Sequence, residues 1–147
     1  MINITKHSGI YTLKVKQSLM MTLDEAWSFF SNPQNLSKIT PPEMGFNITS
    51  ETSDSMYKGQ IISYKVSPFL GLKINWVTEI TNVNDKMFFV DEQRFGPYTM
   101  WHHEHLFMEV GDKIEMTDKV TFKLPGGFIG RLFAPFIVIP QLKKIFN

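Results

Sequence analysis

The chain has 147 residues with 15 basic and 14 acidic side chains, enough for one domain-sized core and with no charge excess that would suit a nucleic acid. It has no cysteine, which excludes a disulfide framework, zinc-finger chemistry and a thiol nucleophile, and fits a reducing cytoplasm. Thirteen Phe, three Trp, four Tyr and nine Met are many large, adaptable apolar groups for this length, and such groups fill wide interiors or line pockets.

No signal peptide and no apolar run of membrane-spanning length is evident, so the expectation is a cytoplasmic protein without membrane insertion. No linker, repeat or low-complexity stretch divides the chain, and residues 1–147 are expected to form a single domain. Alternation over Ile10 to Leu19 predicts a first strand with Tyr11, Leu13, Val15 and Gln17 on one face. Thr22 and Glu25 have capping-box spacing and open a helix that carries Trp27, Phe29 and Phe30. Asn32-Pro33 starts a second short helix, with Leu36 and Ile39 as its buried residues, and Pro41-Pro42 ends it.

Strands then follow at Phe46 to Glu51, Gln60 to Val66, Leu72 to Thr81, Lys86 to Phe95, Tyr98 to Glu109 and Lys113 to Leu124. The turns between them, at Asn82 to Asp85, Gly96-Pro97 and Gly111-Asp112, force an antiparallel meander. Lys86, Asp112 and Lys113 fall at these turns and are expected in solvent. Pro125-Gly126-Gly127 breaks the sheet, and Phe128 to Phe146 reads as one long helix, apolar on most of its surface and therefore buried. Pro135 is expected to kink it, and Pro140 is a second candidate for a kink. The predicted architecture is α+β: a seven-stranded curved antiparallel sheet around a long C-terminal helix, with two short helices between strands one and two.

A series of short motifs carries a family resemblance. They are the helix Thr22 to Phe30, Asn32-Pro33-Gln34-Asn35-Leu36, Ile39-Thr40-Pro41-Pro42, Gly59, Trp76 with Thr78 and Ile80, and Gln93 with Gly96-Pro97. Trp101-His102-His103-Glu104-His105-Leu106-Phe107, Met116 with Asp118, and Leu124-Pro125-Gly126-Gly127 complete the series. In this order they resemble a bacterial branch of the SRPBCC or START-like superfamily, the helix-grip, polyketide cyclase-like ligand-binding proteins. The resemblance implies the helix-grip fold and a cavity between sheet and helix for a small hydrophobic or amphipathic molecule. It implies no metal and no cofactor, and it does not settle whether there is catalysis, since one fold hosts many chemistries.

Alternation places Trp101, His103, His105 and Phe107 on the inner face of their strand, and His102, Glu104 and Leu106 on the outer one. The Gly111-Asp112 hairpin sets Asp118 across from His105, and the Gly96-Pro97 turn brings Gln93 near Trp101. Gln93, His103, His105 and Asp118 are thus expected to converge in the cavity, with Trp76, Thr78, Phe89, Trp101, Leu132 and Phe136 as further ligand-contacting residues. Three roles fit the cluster. Its members satisfy one another and fix the sheet, they orient a ligand's polar end such as a carboxylate or hydroxyl, or His103, His105 and Asp118 are catalytic in an enzyme of the cyclase, dehydratase or hydrolase type, with Asp118 holding the tautomer of a His105 base. His103, His105 and Asp118 also have metal-ligand chemistry, but the i, i+2 spacing is common by chance and the expectation is no metal. A module that pairs with a partner or a second copy through the apolar C-terminal helix is the remaining alternative.

Overall fold

The computed structural model describes residues 2–69, 71–133 and 136–146, with the side chains of residues 68, 69, 131 and 133 left aside. Eight strands form one antiparallel sheet: β1 (Asn3–His7), β2 (Ile10–Leu19), β3 (Asn47–Ile48), β4 (Ile61–Phe69), β5 (Leu72–Asn84), β6 (Phe88–Phe95), β7 (Met100–Val110) and β8 (Lys113–Lys123). Their order is β1-β2-β8-β7-β6-β5-β4-β3, so the chain returns after β3 as a meander that ends beside β2. The expected count was seven. The extra strand is β1, joined to β2 through Ser8 and Gly9, whose φ values of 51° and 81° are those of a tight hairpin turn. Four of its five residues are exposed, so it carries almost none of the buried alternation by which a strand is recognised.

Helix α1 (Leu23–Phe30) has the expected capping box: Thr22 Oγ1 accepts from Glu25 N at 3.2 Å, and Glu25 Oε2 accepts from Thr22 N at 2.8 Å. Its Trp27 meets Phe89 and Phe107 edge-on, which seats the helix against the sheet. Asn32 Oδ1 accepts from Gln34 N and caps a single 3₁₀ turn, Pro33–Asn35, that leads into α2 (Leu36–Ile39). One turn of helix buries little, and Leu36 is only half-buried while Ile39 is 46% exposed, contrary to expectation. The expected strand at Phe46 to Glu51 shrinks to the two residues of β3. β5 runs three residues beyond its expected end, so the turn centres on Lys86, at φ 58° and paired with Asp24 at 2.8 Å.

The single long C-terminal helix is not what forms. Two helices take its place, α3 (Gly127–Phe133) and α4 (Val138–Ile145); the expected kink at Pro135 lies outside the described residues. Pro140 does not kink α4. It sits in the first turn, where a missing N–H has no intrahelical acceptor to lose. Among the described side chains of these two helices, those on the core belong to α4: Leu142 with Val138, Ile139, Ile145 and Phe146. Phe128, Ile129, Leu132, Phe136 and Ile137 are exposed, Phe136 at 78%, which corrects the expectation of a helix buried along its length.

Two groups of buried side chains hold the sheet's inner face. Tyr11, Leu13, Val120, Phe122, Trp76 and Tyr98 form one, beneath α4. Trp27, Ile62, Ile80, Phe89, Phe107 and Met116 form the other, beneath α1. No helix among the described residues is long and apolar enough to cross a membrane.

Candidate functional site

A cavity of about 430 Å³ lies between the two core groups, within the size range of small-molecule pockets. Its wall is mainly apolar: Met44, Met56, Ile62, Val66, Ile80 and Met116 from below, Phe30 and Leu36 at one side, and Leu142, Ile145 and Phe146 from α4. Trp76, Tyr64, Tyr98 and Trp101 line one end, with Trp76 and Trp101 edge-to-face at 5.4 Å. The polar exceptions include Asp91, His103, His105 and Asp118, which lie together, and the Tyr64 and Thr78 hydroxyls, which bond each other at 3.2 Å.

Strand register builds the charged group. Asp91 of β6 pairs with His103 of β7, and His105 of β7 pairs with Asp118 of β8, so four side chains on three neighbouring strands share the inner face. The hydrogen bonds run diagonally: His103 Nε2 to Asp118 Oδ1 at 3.0 Å, and His105 Nε2 to Asp91 Oδ2 at 2.7 Å. The straight-across contacts are His103 Nδ1 to Asp91 Oδ2 at 3.5 Å and His105 Nδ1 to Asp118 Oδ1 at 3.1 Å. The last is close enough for charge attraction but poorly directed, and His105 Nδ1 is left buried without a hydrogen bond. The two imidazoles lie 3.7 Å apart, and Phe89 stacks on His105 at 4.2 Å.

Burial works against a charge on His105, but the Asp118 and Asp91 carboxylates outweigh it and hold its pKa up at about 9. Burial likewise works against ionised Asp91 and Asp118. The two imidazoles overcome it and hold both carboxyls below the ordinary carboxylate range. Burial, with the Asp91 charge added, pushes the Tyr64 phenol far up, so it stays neutral. Because His105 has a folded pKa of about 9 against an ordinary 6.5, its contribution is complete below about pH 6.5 and is lost as pH rises through 9. The expected result is a fall in unfolding free energy of roughly 3 kcal/mol over that window in denaturant titrations. His105→Gln should flatten it; an unchanged slope in that variant would assign the pH dependence elsewhere.

Of the expected site residues, Trp76, Thr78, Phe89, Trp101, His103, His105 and Asp118 line the cavity. Gln93, Leu132 and Phe136 do not. The Gln93 carboxamide clasps Tyr98 instead, donating to its carbonyl at 2.7 Å and accepting from its N–H at 3.1 Å. It folds over Gly96 so closely that a Cβ there would meet Oε1 at 2.5 Å and push the carboxamide aside. Leu132 and Phe136 belong to the exposed apolar surface instead. Asp91 is the residue that sequence reasoning missed. The alternation that turns Phe89 inward turns Asp91 inward too, so the signal was present two residues away.

Asp91, His103 and His105 also offer three ligand atoms within 4.8 Å of one another, a set of the type that holds zinc. An ion there would have to displace the hydrogen bonds that these atoms already make.

No protein-family model matches the sequence, and no curated protein matches it. Solved structures do. Protein Ms6760 from Mycobacterium smegmatis superposes with a TM-score of 0.68 at 15% identity, over 100% of this chain and 94% of that one. Ginseng major latex-like protein 151 from Panax ginseng matches at 0.63 and 12%, over 95% and 99%. Ara h 8.0201 matches at 0.58 and 13%, over 94% and 93%. At such identities the likeness is one of fold: a large antiparallel sheet with helices, consistent with the helix-grip architecture that the sequence resemblance implies.

Proposed function

We propose that residues 1–147 are one binding domain of the SRPBCC or START-like superfamily, which holds a small amphipathic molecule between the sheet and α4. The observation that carries this reading is the cavity itself: about 430 Å³, walled by aliphatic, Met and aromatic side chains, with one charged cluster set into it. Apolar space of this size favours a hydrocarbon or ring body, and the cluster gives one end of that body a polar partner. Trp76, Thr78, Phe89, Trp101, His103, His105 and Asp118 are its proposed contacts, joined by Asp91. The balanced charge gives no reason to invoke a nucleic acid, and the lack of cysteine suits the cytoplasm.

Decanol tests the reading. At saturating ligand it should raise the melting temperature and quench tryptophan fluorescence, because a ligand that binds only the folded state stabilises it by mass action. Failure of decanol and of a diverse apolar panel to do either would overturn it. The exposed Phe128, Ile129, Leu132, Phe136 and Ile137 favour a second reading, in which this end of the molecule meets a second copy of the chain. A monomer at every concentration in sedimentation would remove that one.

A further inference from the structure

The polar group in the cavity wall consists of two carboxylates and two imidazoles, and among the described residues no other charged side chain lines the cavity. Each carboxylate carries one negative charge, and each imidazole carries either none or one positive charge. With both carboxylates ionised and His105 held in its charged form at neutral pH, the group ranges from one net negative charge to none, and is never positive. Its donors are also committed: all four imidazole nitrogens face an Asp91 or Asp118 oxygen at 2.7–3.5 Å. His105 Nδ1 is sealed from the cavity as well as lacking a well-directed partner.

The free capacity is on the acceptor side. Among the described residues, Asp91 Oδ1 and Asp118 Oδ2 take part in no hydrogen bond. Asp91 is the more open of the two, with its side chain 16% exposed against 6% for Asp118. Next to the cluster, Trp101 lies 6.3 Å from His103, and Trp76 and Tyr98 pack around Trp101 at 5.4 and 4.7 Å. Electron-rich ring faces beside a carboxylate attract a cation and repel an anion.

Resting on the reading of the cavity as a binding site, we propose that the polar end of its ligand is a protonated amine that donates to Asp91 Oδ1, and is not a carboxylate or phosphate. An acid in the same place would set a further negative charge beside Asp91 and Asp118, and the imidazole nitrogens that could answer it already face carboxylate oxygens; the Trp76 Nε1–H in the wall is unbonded but buried out of reach. An alcohol could donate to Asp91 but would not answer the charge. The order of affinity is amine, then alcohol, then acid.

A matched series tests this on the intact protein: decylamine, decanol and decanoic acid, titrated by calorimetry at neutral pH. The expected result is decylamine bound roughly ten-fold more tightly than decanol, and decanoic acid weakest, since a charge-assisted hydrogen bond is worth about that much. Asp91→Asn, which keeps the side chain's shape and an oxygen acceptor but removes its charge, should weaken decylamine far more than decanol and so bring the two to about the same affinity. Equal affinity for amine and acid, or a preference for the acid, would overturn the assignment while leaving the cavity reading in place. Binding of none of the three would overturn both. Because the series needs only the unmodified chain, a failure of Asp91→Asn to fold would not blunt the result.

Discussion

Asp118→Ala lowers the unfolding free energy by about 3–5 kcal/mol, the expected loss when one partner of a buried charged network is removed. Asp118 is 6% exposed at its side chain and accepts from His103 while lying 3.1 Å from His105 Nδ1. Without it, His105 keeps Asp91 as its one carboxylate contact, and His103 loses its best hydrogen bond. Asp118→Asn keeps the volume and one acceptor, so it should cost less, about 1–3 kcal/mol. Denaturant titrations of the two variants separate charge from packing. A loss below about 1 kcal/mol for the alanine variant would mean that the cluster is not coupled as its distances indicate.

Met116→Trp abolishes detectable decanol binding, with affinity reduced roughly hundred-fold or more, equivalent to about 2.7 kcal/mol. Met116 is 2% exposed and lines the cavity from β8, two residues from Asp118 on the same face. An indole there occupies the space the ligand would need. Overpacking a filled core costs about 1–3 kcal/mol, but a variant that grows into a void avoids most of that strain. The melting temperature should therefore stay near that of the parent chain. Thr117→Trp, one residue along on the opposite face of the strand, should leave binding within about two-fold. Undiminished affinity in Met116→Trp would place the ligand outside this cavity.

What could be read in the sequence follows from which interactions are local. Hairpins marked by Gly111-Asp112 and by the Gly96-Pro97 turn fix their own register, so the pairing of His105 with Asp118 was legible before any coordinates. Period-two alternation likewise put Trp101, His103, His105 and Phe107 on one face. The same rule applied to β6 would have delivered Asp91, which nothing else about the Asp91-Glu92 pair of acids announces. Gln93 was misplaced for a different reason. A side chain that folds back onto its own turn leaves no trace in a periodicity argument.

The C-terminal segment shows the limit most clearly. An apolar stretch with helical spacing indicates helix, but whether it lies on the core depends on where the chain breaks and what lies beneath. Val138, Ile139, Leu142, Ile145 and Phe146 pack on the core while Phe128, Ile129 and Leu132 stand in solvent, although all are apolar. Strand β1 was missed because an exposed edge strand needs no buried face.

A crystal structure of the protein with decanol tests the central claim most directly. Continuous density for the alkyl chain is expected among Ile62, Ile80, Met116 and Leu142, with the hydroxyl oxygen within hydrogen-bond distance of Asp91. Density confined to the outer face of the sheet or to the exposed side of α3, with the cavity empty at saturating decanol, would contradict it.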